Sequence, residues 1–177
     1  MRRFIGVGAG ILLLVAALAA PAAAAGPLHG RDGPVLGRGG ISFDMKFDAN
    51  QLCSFPVHWV EDGSRMYSLT FPVQRNGDKL VIYAGPQWST VTNGDTGASE
   101  VAGGNLVMDW ISHKDGTADV WVVGTVVAGY LPTDAPGMGL WVLNGRVHDT
   151  VGADGWSTIA HSFKGRAVDL CKALARP

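Results

Sequence analysis

Leu106-Val107-Met108-Asp109-Trp110-Ile111, the dipeptide Asp115-Gly116 and the run Val120-Trp121-Val122-Val123-Gly124-Thr125-Val126-Val127 decide the fold class. In the first segment Leu106, Met108 and Trp110 alternate with Val107, Asp109 and Ile111. That period of two sends successive side chains to opposite faces of a strand. The second run is β-branched almost throughout. Such side chains lose rotamer freedom in a helix and fit a pleated surface. Asp-Gly between the two supplies the positive φ that a tight hairpin turn needs.

The same pattern extends in both directions. Phe43, Met45 and Phe47 alternate with Asp44, Lys46 and Asp48. Leu80 and Ile82 alternate with Val81 and Tyr83, and Leu140 to Val147 is a further apolar run. Turn signals lie between these segments: Asn76-Gly77, Asn93-Gly94, Gly103-Gly104-Asn105, Asn144-Gly145 and Asp154-Gly155. Asn144-Gly145 sits inside an apolar run and reads as a turn or a bulge. Strands are expected over 42–48, 52–60, 65–71, 79–84, 87–93, 98–102, 106–113, 117–128, 139–149 and 157–168. Val168 to Leu174 fits one short helical turn, with Leu170 and Leu174 on one side. The expected class is all-β: an antiparallel sandwich or meander barrel of about eight to ten strands with a short C-terminal helical turn. Tyr130 to Gly139, with Pro132 and Pro136, is the loop best suited to a rim or lid.

Residues 1–25 carry the grammar of a cleaved signal peptide: Arg2-Arg3, an uncharged apolar run from Phe4 to Ala20, Pro21, then small residues before Gly26. Residues 26–40 are rich in Gly and Pro and read as a flexible lead-in to a single β domain over 41–177. Cleavage after residue 25 would leave 152 residues with 12 Lys+Arg against 15 Asp+Glu. That is one domain's length, mildly acidic and without a basic run, so nucleic acid and anionic membrane surfaces are poor partners. No second long apolar run predicts a membrane span in the mature protein.

With an export signal upstream, the two cysteines, Cys53 and Cys171, read as one disulfide across the domain. No C-x-x-C pair is present to suggest a zinc site. Asp95-Thr96-Gly97 matches the aspartic-protease triplet, but that chemistry needs two carboxylates sharing a proton. One copy after Asn93-Gly94 reads as a hairpin turn. Asp109 and His113, four apart in a strand, share a face and could seat a metal or form a polar patch. No cofactor or metal is assigned.

Six tryptophans remain: Trp59, Trp88, Trp110, Trp121, Trp141 and Trp156. Trp110, Trp121 and Trp141 stand on three successive strands and are the candidate ligand-binding residues. Projecting inward they line a core or cavity; projecting outward they make an exposed binding face.

Cys53-Ser54-Phe55-Pro56-Val57, Val91-Thr92-Asn93 followed by Thr96-Gly97, and Gly165 with Val168-Asp169-Leu170-Cys171 resemble motifs of small secreted actinobacterial all-β proteins of uncharacterised function. The resemblance covers about residues 51–174. It implies a turn at Asp95-Thr96-Gly97 and a Cys53–Cys171 pair, and it carries no activity. The expected function is a non-catalytic extracellular binding module for a small ligand or a protein partner. The alternatives are an extracellular enzyme built on His113, His148 and acids such as Asp109 and Asp149, or a structural envelope-associated protein.

Overall fold

The computed structural model describes residues 33–175. They form nine strands and one helix: β1 (Val35–Arg38), β2 (Phe43–Phe47), β3 (Val57–Asp62), β4 (Tyr67–Thr70), β5 (Lys79–Asn93), β6 (Ser99–Ser112), β7 (Ala118–Tyr130), β8 (Gly139–Val151), β9 (Thr158–Asp169) and α1 (Leu170–Leu174). The expected export signal, residues 1–25, lies outside the described residues. Part of the stretch read as a flexible lead-in is a strand instead: β1 pairs with β4, Val35 opposite Thr70 and Arg38 opposite Tyr67. Four residues among glycines are too few for a period to declare itself.

Every ladder is antiparallel, and β5 to β9 follow one another as a meander. The other edge of β5 serves two partners. β4 pairs along Val81 to Ala84, and β3 along Trp88 to Asn93. Between them Gly85 to Gln87 have no neighbour on that edge. Pro86, which has no N–H to give to a ladder, falls in this gap. β2 completes the sheet on β3. The all-β antiparallel class, the strand number and the terminal helical turn are those expected, and the sheet curls without closing.

The curl comes from glycines. Gly124 of β7, Gly145 of β8 and Gly165 of β9 stand side by side in register. A Cβ on Gly145 would lie 2.2 Å from the Lys164 carbonyl oxygen, and one on Gly124 2.3 Å from that of Asn105. Both have positive φ, +150° and +128°. Only a residue without Cβ fits such a close approach of backbones. The bend is large. Tyr130 pairs with Gly139 and Val120 with Asp149, ten residues apart along each strand. A straight ribbon would separate them by about 33 Å. Yet the Tyr130 hydroxyl donates to Asp149 Oδ2 at 3.1 Å. The β7–β8 ribbon therefore doubles back on itself.

The same crease corrects two sequence expectations. Gly103-Gly104-Asn105 is no turn; it lies within the continuous strand β6, where a Cβ on Gly103 would meet the Gln87 carbonyl oxygen at 2.2 Å. Asn144-Gly145 is likewise neither a hairpin nor a bulge but an in-register step of β8. The pairs 79–84/87–93 and 98–102/106–113 are each one bent strand. Asn76-Gly77, Asp115-Gly116 and Asp154-Gly155 do occupy connections between strands, and Asn93 ends β5 where Gly94 opens the turn to β6. Asp95-Thr96-Gly97 forms the β5–β6 turn, with Asn93 Oδ1 accepting from the Asp95 and Thr96 amides.

Two apolar clusters result. Val127, Leu140 and Val142 face one of them, with Leu52, Phe55, Val57, Trp59, Val91 and the helix residues Leu170 and Leu174. Val126, Ala128, Trp141 and Leu143 face the other, with Met66, Leu106, Met108, Val120, Val122 and Val147. The end of β7 and the start of β8 are thus covered on both faces, which explains why these segments are apolar without alternation. The Cys53–Cys171 disulfide, Cα–Cα 5.4 Å, ties the segment before β3 to α1 inside the first cluster. Asp169 caps the helix by accepting from the Lys172 amide, and Asn93 Nδ2 donates to the Leu174 carbonyl at its other end. These bonds satisfy groups that a helix terminus leaves open.

Candidate functional site

The three candidate tryptophans do not converge. Register separates them. Trp110 pairs with Val120, so Trp121, one residue on, takes the opposite face of the sheet. Trp110 and Trp141 turn inward and pack on the second cluster. Trp121 turns outward and stays 49% exposed.

On the outer face the ladders align Asp109, Trp121, His148 and Ser162 in one row across β6 to β9. The next row holds Val107, Val123, Arg146 and Lys164. All of these except Val107 border a shallow groove of about 410 Å³. Trp121 stacks on His148, ring centroids 3.6 Å apart and planes 4° from parallel. His148 is itself held: its Nε2 lies 3.0 Å from Asp119 Oδ1. Asp119 also accepts from the Thr150 hydroxyl at 2.9 Å and meets His113 Nε2 at 3.1 Å. The other nitrogen of His113 lies 3.2 Å from Asp78. A chain of hydrogen bonds from the β4–β5 connection to β8 therefore fixes the ring against which Trp121 rests.

The protonation directions fit that network. The hydrogen bond to Asp119, and next the one to Asp78, raises the pKa of His113. The bond to His148 leads the effects that hold Asp119 below the usual carboxylate range. His113 and His148 do share one acid, but it is Asp119, which the sequence reading did not select. Asp119 is next to Val120 in an apolar run and nothing local marks it. Asp109 lies in the row of Trp121 and His148, but the carboxylates that meet His113 are those of Asp119 and Asp78, so the expected Asp109/His113 pair does not form the cluster. Among the described residues no group of three or more His, Cys, Asp or Glu is disposed to hold a metal ion.

Asp149 projects to the inner side. Its Oδ1 lies 2.6 Å from His161 Nδ1, and its Oδ2 accepts from Tyr130. Burial, then the charge of Asp149, pushes the Tyr130 phenol far up. His148-Asp149, adjacent in sequence, thus serve opposite faces. Beside this trio a pocket of about 200 Å³ is lined by residues that include Trp59, Met108, Trp110, Val120 and Tyr130. Further along the interior, Glu61 accepts from Trp59 Nε1 at 2.9 Å and from the Ser89 hydroxyl. Burial raises Glu61 to about 7, the two hydrogen bonds opposing the shift.

The loop after β7 is anchored. Asp134, buried, accepts from the Leu131 amide at 2.5 Å and the Thr158 amide at 2.9 Å. Those bonds fasten the loop to the start of β9, a rim rather than a free flap. Among the described residues no helix is long and apolar enough to cross a membrane. Comparison with protein-family models, with curated proteins and with solved structures gave no match.

Proposed function

We propose that this protein is a secreted, non-catalytic binding module whose outer groove takes a saccharide. The observation that carries the reading is Trp121: half exposed on a sheet face, backed by a parallel imidazole, and bordered in register by Asp109, Ser162, Arg146 and Lys164. A sugar ring offers an apolar face of C–H groups and a rim of hydroxyls. The indole suits the first, and the charged and hydroxyl side chains suit the second. Holding the ring in place beforehand lowers the entropy lost on binding. His113 has no ring nitrogen left for a substrate proton, which favours a binding role over a catalytic one for that residue. Both nitrogens of His113 and the Nε2 of His148 already engage carboxylates. The disulfide supports the extracellular setting, since such bonds persist in oxidising compartments.

A glycan array, followed by titration calorimetry on the hits, tests this. Trp121→Ala is expected to weaken binding by about 2 kcal/mol or more, roughly thirtyfold. A saccharide bound equally well by Trp121→Ala, or an array without hits, refutes the reading.

A further inference from the structure

The inner pocket is a different place from the Trp121 groove, on the other face of the sheet, and its chemistry differs. We infer that it is a second site, for a single-ring apolar molecule bearing one neutral hydrogen-bond donor, such as a phenol.

Size comes first. The pocket is about 200 Å³. An apolar cavity of about 150 Å³ is enough for benzene. One ring with a small substituent matches that volume. The wall sets the second condition. Met108, Val120, Val122 and Val126 are aliphatic, and Trp110 adds an aromatic face. Such a surface gains from burying carbon and offers a sugar little.

Polarity sets the third. Tyr130 and Asp149 are the ionisable side chains lining the pocket. Each Asp149 oxygen meets one internal partner, His161 Nδ1 at 2.6 Å and the Tyr130 hydroxyl at 3.1 Å. A carboxylate has about four lone-pair positions, so two remain to accept. The Tyr130 proton is already given to Asp149. At the polar end of the pocket the Asp149 carboxylate is therefore an acceptor that calls for a donor on the ligand, and the Thr158 hydroxyl, also in the lining, can serve the same hydroxyl as donor or acceptor. A hydroxyl answers it. A carboxylate meets a like charge and an oxygen with no proton to share. A hydrocarbon leaves that end unused. The ribbon's bend makes the arrangement possible, because Asp149 and Tyr130 meet only where β7 and β8 double back.

The test is titration calorimetry of the full secreted protein with phenol, toluene and benzoate as probes. Phenol is expected to bind one to one, at least tenfold tighter than either of the others. Ala128→Leu, which projects three extra carbons into the pocket, is expected to weaken phenol at least tenfold while keeping the wild-type far-ultraviolet circular dichroism. Should that variant not fold, the indole N–H resonances of the wild type decide. Phenol should shift those of Trp59 and Trp110, which line the pocket, and leave that of Trp121 in place. No phenol binding, equal affinity for the three probes, unchanged affinity in folded Ala128→Leu, or shifts confined to Trp121 each overturn the proposal.

Discussion

Gly145→Ala should damage this fold far more than its single added carbon suggests. The new Cβ would start 2.2 Å from the Lys164 carbonyl oxygen and 2.9 Å from Gly165 Cα, both backbone atoms of the adjacent strand. Ordinary carbon–oxygen contact is over 1 Å longer, and neither atom can rotate away. Strand β9 would have to move at the point where the sheet creases. Two costs add. A side chain at φ +150° is strained, about 1–3 kcal/mol. Forcing a carbon into packed structure costs about 1–3 kcal/mol more. The sum, about 2–6 kcal/mol, is a large share of the roughly 5–15 kcal/mol that holds a domain folded. At about 2–4 °C per kcal/mol for a chain of this size, the melting temperature should fall by about 4–24 °C. Gly155→Ala is the control. Gly155 also has positive φ, +76°, but a Cβ there meets nothing within 4 Å. It should cost only the backbone strain, about 1–2 kcal/mol, or a few degrees. The assay is thermal denaturation by circular dichroism, both variants beside the wild type. If Gly145→Ala melts within about 3 °C of wild type, or no lower than Gly155→Ala, the crease is not held by close backbone approach.

Removal of the disulfide and neutralisation of Glu61 probe other parts of the structure. The Cys53–Cys171 bond spans 118 residues. In the chain-entropy account a loop of that order is worth about 4–5 kcal/mol, so Cys171→Ser should lower the melting temperature by about 8–20 °C and expose one titratable thiol. Two free thiols in the native wild-type protein would contradict the pairing. Glu61 binds its proton more tightly when folded, its pKa rising from 4.5 to about 7. Between those values the folded state holds more protons than the unfolded one, so this group's contribution falls as pH rises from about 4.5 to 7 and stays low above. The loss is on the order of 3 kcal/mol. Glu61→Gln should flatten that decline in a melting series from pH 4 to pH 8; an unchanged slope would show that Glu61 does not titrate in this window.

Much of the architecture is legible in local residue patterns. Period-two alternation in Leu106 to Ile111, the β-branched run from Val120 to Val127 and Asn-Gly or Asp-Gly at the connections all act within a few residues. They announce antiparallel strands and hairpins without reference to the rest of the chain. Asp95-Thr96-Gly97 is legible as a turn for the same reason, because Asn93 and its neighbours make their own hydrogen bonds. What local pattern cannot separate is a glycine that turns the chain from a glycine that lets two strands touch. Gly103-Gly104 and Asn144-Gly145 look like turns by composition, yet they sit within strands, because their role depends on Gln87 and Lys164 in neighbouring strands.

The candidate sites divide along the same line. Sequence alone determined that tryptophans and histidines stand on successive strands, and that the two cysteines lie at either end of the domain. Tertiary structure decided which of them meet. A one-residue difference in register sent Trp110 inward and Trp121 outward, and put the neighbours His148 and Asp149 on opposite faces. It gave His113 and His148 a common partner, Asp119. The doubling back of β7 and β8 brought Tyr130 to Asp149 from ten residues along the ribbon. The reason is physical. Strand propensity and turn chemistry are set by each residue and its near neighbours, whereas register and curvature arise only from how separate strands pack.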